Sequence, residues 1–552
     1  MRRVAQRHGS VSAFLLPPIL AFSLATCAVG PDYSRPAAPV PTKFKELKAL
    51  SGWKIATPSD ALDRGDWWAV YHDRRLDRLM RQVEVSNQTI AEQAAAYENA
   101  RALLRQAQAG LFPTVTGDYS VTRTGTGANV AGSSGVGGTT GTGTNNIGTT
   151  NNITGTGTGT TGTGTNSIGT SSIGTNSIGA GTTGTGGGDP VRTTFVPALS
   201  AAWQPDVWGK VRRQIESSTA AAQLSAADLA DVKLAQQSLL ATAYFNMRAS
   251  DALYDLLGRT AAEYRRSLRI VQNQFNAGFS VTAGDVATAR ALVETTEGSQ
   301  LLVAAQRAAF EHAIAVLIGR PPADLTVAHN GLRGTIPKIP VTIPSTLLER
   351  RPDIAAAERT MQQQNALIGV AEAAFYPAIS LSAVIEWAGT NPLPLTAANE
   401  IWSLGAAASQ PIFEGGLLSA QLDAARATYW QSVATYRQTV LTAFQGVEDE
   451  LANIRLQTQA LRVQEQAVKD ARTAVNVFLN QFQAGTVAFT SVVQAEIILL
   501  GDEETALTTR QDLFLDSVLL IQDLGGTWDT TLLPTQKELQ SSISFWPQLP
   551  TQ

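Results

Sequence analysis

The sequence predicts an α+β membrane protein, built from a duplicated unit of two strands followed by a long helix that folds back on itself. Three observations predict it. The first is a repeat: Phe275-Asn276-Ala277-Gly278 returns 207 residues on as Phe482-Gln483-Ala484-Gly485, and Gln204-Pro205 returns 206 residues on as Gln410-Pro411. The second is four stretches of about ten residues with period-two alternation. The third is that no proline interrupts residues 207–274 or 415–481, which read as two very long helices. Leu111-Phe112-Pro113 answers Phe375-Tyr376-Pro377 at 264 residues, so the first copy is longer by 58 residues, and a Gly/Thr tract at 124–188 accounts for them. A duplicated unit that cannot bury its apolar faces alone points to a symmetric assembly.

At the N-terminus, Met1-Arg2-Arg3 and Arg7 precede an apolar stretch from Phe14 to Ala25 that is too short to span a bilayer and is broken by Pro17-Pro18. This is the pattern of a secretory signal peptide over residues 1–26. Its end, Leu24-Ala25-Thr26-Cys27, resembles a bacterial lipobox, with Thr26 a small departure. That resemblance implies a diacylglyceryl group and an N-acyl chain on Cys27, with no cofactor besides. Ala28 in place of an aspartate implies sorting to the outer membrane. The other reading is an ordinary signal peptide that contains a cysteine. Cys27 is the only cysteine, so a disulfide within the chain is excluded.

Residues 27–75 read as a lipid-anchored, Pro-rich tether ending in a docked piece with Trp53, Trp67, Trp68 and Tyr71. Residues 76–320 form repeat 1, opening with one helix from Leu76 to Gly110 that Pro113 ends. Val115, Gly117, Tyr119 and Val121 then alternate with Thr116, Asp118, Ser120 and Thr122, as expected of a strand with two unlike faces. Phe195 to Trp203, Ile379 to Trp387 and Trp402 to Ala408 alternate in the same way. About ten residues suffice to cross a membrane as a tilted strand. Trp203, Trp208, Trp387 and Trp402 fall near strand ends, where aromatic girdles sit. A small soluble sandwich is the alternative, for which four strands supply too little sheet.

The long helices carry ladders spaced by seven: Val433, Val440, Val447, Ile454, Leu461, Val468, Val475 and Phe482 in the second, and Leu240, Met247, Tyr254, Ala261, Leu268 and Phe275 in the first. Such a repeat implies left-handed supercoiling against neighbouring helices, as a generic coiled-coil stalk would also show. At 1.5 Å per residue each helix is expected to reach roughly 100 Å. Shorter helices return over Ala283–Ile318 and Thr490–Leu524. A connector at 321–352 with prolines from Pro321 to Pro344 leads to repeat 2 at 353–526, and 527–552 is a C-terminal tail.

The tract at 124–188 is nearly all Gly, Thr, Ser and Asn, a composition that cannot bury enough apolar surface to offset its ordering entropy. Joining two strands, it is expected to be a hairpin loop on the extracellular side. It reads either as a neutral expansion or as a surface element.

Net charge is −4 and charged residues are 16% of the chain, against about 25% in ordinary soluble domains. Without a basic face, nucleic acid is not an expected partner. No segment reaches about 18 consecutive apolar residues, so a membrane-embedded part has to be strands in a closed barrel. Four strands cannot close one, for which about eight is the minimum. The barrel is therefore shared: two chains give a filled barrel, three give twelve strands and a lumen. The helices are expected to continue it as a tube. His8, His72, His312 and His329 lack metal-ligand spacing, and no nucleophile constellation or phosphate loop is present, so no enzyme is expected.

Several segments then resemble one family. Ala28-Val29-Gly30-Pro31-Asp32-Tyr33-Ser34-Arg35-Pro36 is similar to the mature N-terminus of TolC-like outer-membrane factors of the NodT lipoprotein branch. Pro344-Ser345-Thr346-Leu347-Leu348-Glu349-Arg350-Arg351-Pro352-Asp353-Ile354 resembles that family's most recognisable motif, and Asn365 to Ala371, Asp66-Trp67-Trp68 and Leu317 to Pro322 continue the match. The resemblance implies a homotrimer with a twelve-stranded outer-membrane barrel and a periplasmic helical tunnel. It implies a periplasmic adaptor and an inner-membrane pump of the resistance-nodulation-division type as partners, and passive conduction of the exported solute. It also implies that the hairpin tips, with Phe275, Gly278, Asp285, Phe482 and Gly485, face the adaptor and form the gated aperture. Thr486-Val487-Ala488 departs from the acidic residue that relatives often carry there. Asp285 supplies charge at the first tip or, alternatively, serves its helix as a first-turn acid. Arg351-Pro352-Asp353 is expected to fix a helix start, since Pro352 is preorganised for it and Asp353 suits its positive end. A trimeric surface adhesin using the Gly/Thr loop is the rival reading, and it predicts loss of function when 124–188 are deleted.

Overall fold

The computed structural model describes residues 28–41, 43–46, 66–125, 191–278, 281–337, 339 and 349–540. Cys27 and most of the Gly/Thr tract lie outside the described residues. The chain forms two compact units: one from Thr114–Ala202 and Leu381–Ala406, the other from Met1–Pro113, Trp203–Ser380 and Ala407–Gln552.

The smaller unit is a four-stranded sheet in the order β1 (Thr114–Gly125), β2 (Val191–Trp203), β3 (Ala378–Trp387), β4 (Glu400–Ser409). β1 runs to Gly125, two residues into the tract that the sequence assigns to the loop. β1 and β2 pair antiparallel, with Val115 opposite Ala201, Gly117 opposite Leu199, Tyr119 opposite Pro197 and Val121 opposite Phe195. One face of this pair is thus apolar. The other face carries Thr116 opposite Ser200, their hydroxyls 2.6 Å apart, with Asp118, Ser120 and Thr122. Phe195 exchanges both backbone hydrogen bonds with Gly389, which ties β2 to the segment after β3.

The larger unit is helical. A short 3₁₀ turn at Trp67–Tyr71 precedes α1 (Arg74–Ser86) and α2 (Gln88–Ala109). Then follow α3 (Lys210–Asn276) and α4 (Ala283–Leu317), α5 (Pro352–Ala373), α6 (Leu417–Gln483) and α7 (Phe489–Asp523), and a short α8 (Gln536–Gln540). The single helix expected over 76–110 is two. Asn87 takes an extended ψ of 124°, its Oδ1 accepts the Ile90 N–H, and its Nδ2 donates to the Leu317 carbonyl. The break is therefore a tertiary contact with the end of α4, which one-dimensional propensity does not register.

α3 and α6 are each 67 residues long and each pairs with its returning helix, α4 or α7. α3 also packs against α1, α2, α5 and α7. In α6 the seven-residue ladder holds, with Val433, Val440, Val447, Ile454 and Phe482 buried. In α3 Leu240, Met247 and Ala261 are buried, but Tyr254 and Phe275 are exposed, and Leu257, Tyr264 and Val271 are buried instead. A straight helix drifts about 20° per heptad. With neighbours on several sides, α3 lets its buried stripe drift rather than supercoil around one partner.

Residues 28–41, within the segment expected to be a tether, are held by side chains of the helices. The Arg213 guanidinium donates to the Val29 and Gly30 carbonyls and to Asp32, and Asn365 Nδ2 donates to the Pro31 carbonyl. Arg35 donates to the Tyr436 hydroxyl, and Tyr33 and Ala38 pack on the core. Further on, the Lys45 and Glu46 N–H groups donate to Glu448. The segment is a strap. Farther along, Trp67 Nε1 donates to Gln237 at 2.9 Å and Tyr71 bonds Ser517 at 2.8 Å, docking the aromatic piece on α3 and α7.

Candidate channel elements and hairpin tips

Four strands in an open sheet leave two edges, and here they are β1 and β4, both exposed along their whole length. The exposed side chains include Val115, Tyr119 and Val121 on β1 and Ile401, Trp402 and Leu404 on β4. Large apolar groups standing free on an unpaired edge mark an interaction surface. Trp203 ends β2 and Trp387 ends β3, whereas Trp402 is the third residue of β4. Trp208 lies beyond β2, stacked on Tyr376 with ring centres 5.0 Å apart and donating to the Pro377 carbonyl.

The two tips are built alike and finished differently. At the first, Gly278 takes a φ of 77° after α3. α4 then starts on a capping box in which Thr282 Oγ1 accepts the Asp285 N–H and Asp285 accepts the Thr282 N–H at 2.8 Å. The Asp285 carboxylate is thus engaged in the start of its own helix. At the second, Gly485 takes a φ of 76°, the Thr486 N–H and hydroxyl both donate to the Gln481 carbonyl, and α7 follows Ala488, which as N-cap offers no side-chain bond. A small core of Val271, Val286, Ala289, Phe482, Phe489, Val492 and Val493 joins the four helix ends. Phe482 belongs to it, with its ring 5.3 Å from that of Phe489, while Phe275 is exposed. The repeated Phe-x-Ala-Gly therefore does two jobs: the second copy closes the hairpin core and the first presents an aromatic ring outward.

One residue near the tips was not singled out from sequence. Glu496 of α7 is 6% exposed. Ser267 of α3 donates to its Oε1 at 2.7 Å, the Tyr264 hydroxyl donates to its backbone carbonyl, and its Oε2 has no partner. Burial, together with the Glu263 charge, outweighs the Ser267 bond and pushes the carboxyl up to about 6. The signal was legible: Phe489, Val492, Val493 and Leu499 form an apolar stripe, and Glu496 falls inside it.

The Arg351-Pro352-Asp353 segment opens α5 with Pro352 at its first position and Asp353 in its first turn. Arg351 does more than precede a helix. It holds Asp353 through Nε and Nη2 and reaches the Asp523 carboxylate at 2.9 Å and its carbonyl at 2.8 Å, closing the end of α7 onto the start of α5. Gly525, at a φ of 87°, lets the backbone pass against the Arg350 carbonyl where a Cβ would collide. Elsewhere in the unit, the fully buried Asp251 receives Arg248 at 3.1 Å, Arg307 at 2.9 Å and the Asn330 N–H at 2.9 Å, and His329 stands between it and Asp255. That knot fixes the start of the connector. Among the described residues no helix is long and apolar enough to cross a membrane, and no three His, Cys, Asp or Glu residues gather as metal ligands.

The family model described as "Outer membrane efflux protein" matches residues 79–320 and 343–526, which takes in both repeats. The cation efflux system protein CusC of Escherichia coli O6:H1 is 26% identical over 518 residues, covering 93% of this chain and 98% of its own. The solvent efflux pump outer membrane protein SrpC of Pseudomonas putida is 28% identical over 524 residues, covering 94% and 98%. In fold, the Campylobacter jejuni CmeC outer membrane channel superposes with a TM-score of 0.75 at 19% identity, covering 92% of this chain and 96% of that one. The outer-membrane channel OprN gives 0.74 at 24% identity, covering 91% and 99%. With both duplicated halves matched, the chain belongs to the outer membrane efflux protein family.

Proposed function

We propose that this chain is the outer-membrane channel of a tripartite efflux system. It passively conducts to the exterior solutes delivered by an inner-membrane pump, of the resistance-nodulation-division type, through a periplasmic adaptor. The observation that carries the reading is the open sheet of a family member: four strands with two exposed edges, in a chain that supplies no membrane-crossing helix among its described residues. Lipid offers no partners for edge backbone groups, so copies must close the sheet on one another. In this reading three copies close a twelve-stranded barrel, and their long helices line a tunnel. The tips carrying Phe275, Gly278, Asp285, Phe482 and Gly485 serve as the adaptor-facing aperture, with Asp285 occupied by its helix start and Glu496 as the buried acid behind it. Cys27 carries the lipid anchor, and the strap from Ala28 holds that end of the chain to Gly209, Arg213 and Gly369.

The test is to purify the tagged protein after mild crosslinking in cells and to identify what comes with it by mass spectrometry. An adaptor together with a resistance-nodulation-division pump is expected. Recovery of the assembled channel with no pump partner counts against the reading. Deleting 126–190, which lies outside the described residues, is expected to leave efflux intact; a surface adhesin would instead lose its function.

A further inference from the structure

We propose that the helical unit carries an anion-binding site, for an organic ligand bearing a phosphate or clustered carboxylates, in the cleft where α1, the end of α4 and the connector meet. The cleft has a volume of about 340 Å³ and is lined by three arginines, Arg75, Arg78 and Arg320, with Gln82 beside them and no acidic residue in its wall. Asp77 adjoins Arg78 in sequence and Asp324 adjoins Leu325, yet neither lines the cleft. Arg75 and Arg78 share a face of α1 by their i, i+3 spacing, and Gln82 continues it one turn on. Among the described residues neither Arg78 nor Arg320, both exposed, has an ion-pair partner.

The site is built rather than incidental. Its floor is the irregular run from Leu325 to Ala328, held from behind by side chains of the neighbouring helices. The Ala328 carbonyl accepts from Arg75 at 3.1 Å and from Arg248 at 2.9 Å, the Val327 N–H donates to Glu311, and the Val327 carbonyl accepts from Arg307. Arg75 is thereby aimed, and among the described residues its other guanidinium N–H groups have no partner. Three like charges around one cleft repel one another, and an anion relieves that repulsion while taking the planar, forked hydrogen bonds for which guanidinium is suited. Buried Leu79 and Val327 give the floor an apolar part, which fits a ligand with a carbon skeleton better than a bare ion.

The experiment is isothermal titration of the detergent-solubilised full-length protein with citrate and with glycerol 3-phosphate at low ionic strength. The same titrations are run on an Arg78→Ala/Arg320→Ala double variant and on Arg101→Ala, whose side chain pairs with Glu98 outside the cleft. Arg78 and Arg320 are exposed and hold no other element in place, so the double variant is expected to fold, which a circular dichroism spectrum checks. One saturable site per chain is expected, weakened at least tenfold in the double variant and unchanged in Arg101→Ala. Tighter binding of glycerol 3-phosphate assigns the site to phosphate esters, and tighter binding of citrate assigns it to polycarboxylates. No saturable binding of either probe, or equal binding by the wild type and the double variant, overturns the proposal.

Discussion

A carboxyl group in an apolar helix seam costs least when it keeps its proton, and Glu496 illustrates the consequence. Its folded carboxyl titrates at about 6 rather than at its ordinary 4.5. Between those values the folded chain holds a proton that the unfolded chain has released, so stability falls as pH rises through this window and the full penalty is present above it. A displacement of that size corresponds to about 2 kcal/mol. Glu496→Gln keeps an oxygen for the Ser267 hydroxyl and removes the ionisation. Residues 489–500 are expected to open less readily at pH 7.5 in this variant, and their pH dependence between 4.5 and 7 to flatten. Hydrogen exchange, corrected for its intrinsic rate, reads both; an identical pH slope in the two proteins would sink the assignment. Residue roles that depend on local chain geometry were legible in the sequence: Pro352 and Asp353 at a helix start, Asp285 in a first turn. Roles that depend on a distant partner were not. Arg351 reaches Asp523, 172 residues away, and Arg213 reaches Asp32 across 181, and no periodicity announces such pairs.

At the scale of elements, the strap shows how a Pro-rich segment without helical or strand pattern becomes fixed structure. It has no backbone ladder of its own, so its carbonyls are satisfied by side chains on α3 and α5. It lies close against α5 at Gly30 and Gly369, where a Cβ on Gly30 would overlap the Gly369 backbone, and Gly30 sits at a φ of 102°. Gly30→Val adds both a steric overlap and an unfavourable backbone conformation, together at least ~2 kcal/mol. The strap is expected to lift, and chymotrypsin to cut after Tyr33 at least tenfold faster than in the wild type, with the helices intact by circular dichroism. Equal cleavage rates would show that Gly30 does not hold it. The long helices were readable because proline-free apolar periodicity over nearly seventy residues has no competing explanation. The break at Asn87 was not, because its cause is the Leu317 carbonyl on another helix. The drift of the α3 stripe away from Tyr254 and Phe275 was equally hidden, because it follows from how many neighbours surround that helix.

At the scale of the whole molecule, one chain holds an incomplete sheet. β1 is 12 residues long and β4 is 10, each with an unpaired side. Alternate residues of an edge strand direct N–H and C=O outward, and each such group left unpaired in hydrocarbon costs several kcal/mol, so an open edge costs on the order of tens of kcal/mol. That sum exceeds the net stability of any ordinary domain, so closure is a condition of existence in the membrane rather than an embellishment. The strand count per chain was legible from alternation, whereas the number of copies was not, because it is set by strand pairing between chains. A cysteine scan reads it directly. Ser120→Cys on β1 is combined in turn with Ile401→Cys, Ser403→Cys, Gly405→Cys or Ala407→Cys on β4, one pair per variant, in cells under mild oxidation. Because only β1 of one copy and β4 of the next can meet, at least one pair is expected to yield crosslinked dimer and trimer on non-reducing gels, with trimer as the end point. The single substitutions are expected to yield neither. A ladder that stops at dimer would mean a filled eight-stranded barrel with no lumen, and the chain would then have no path along which to conduct a solute.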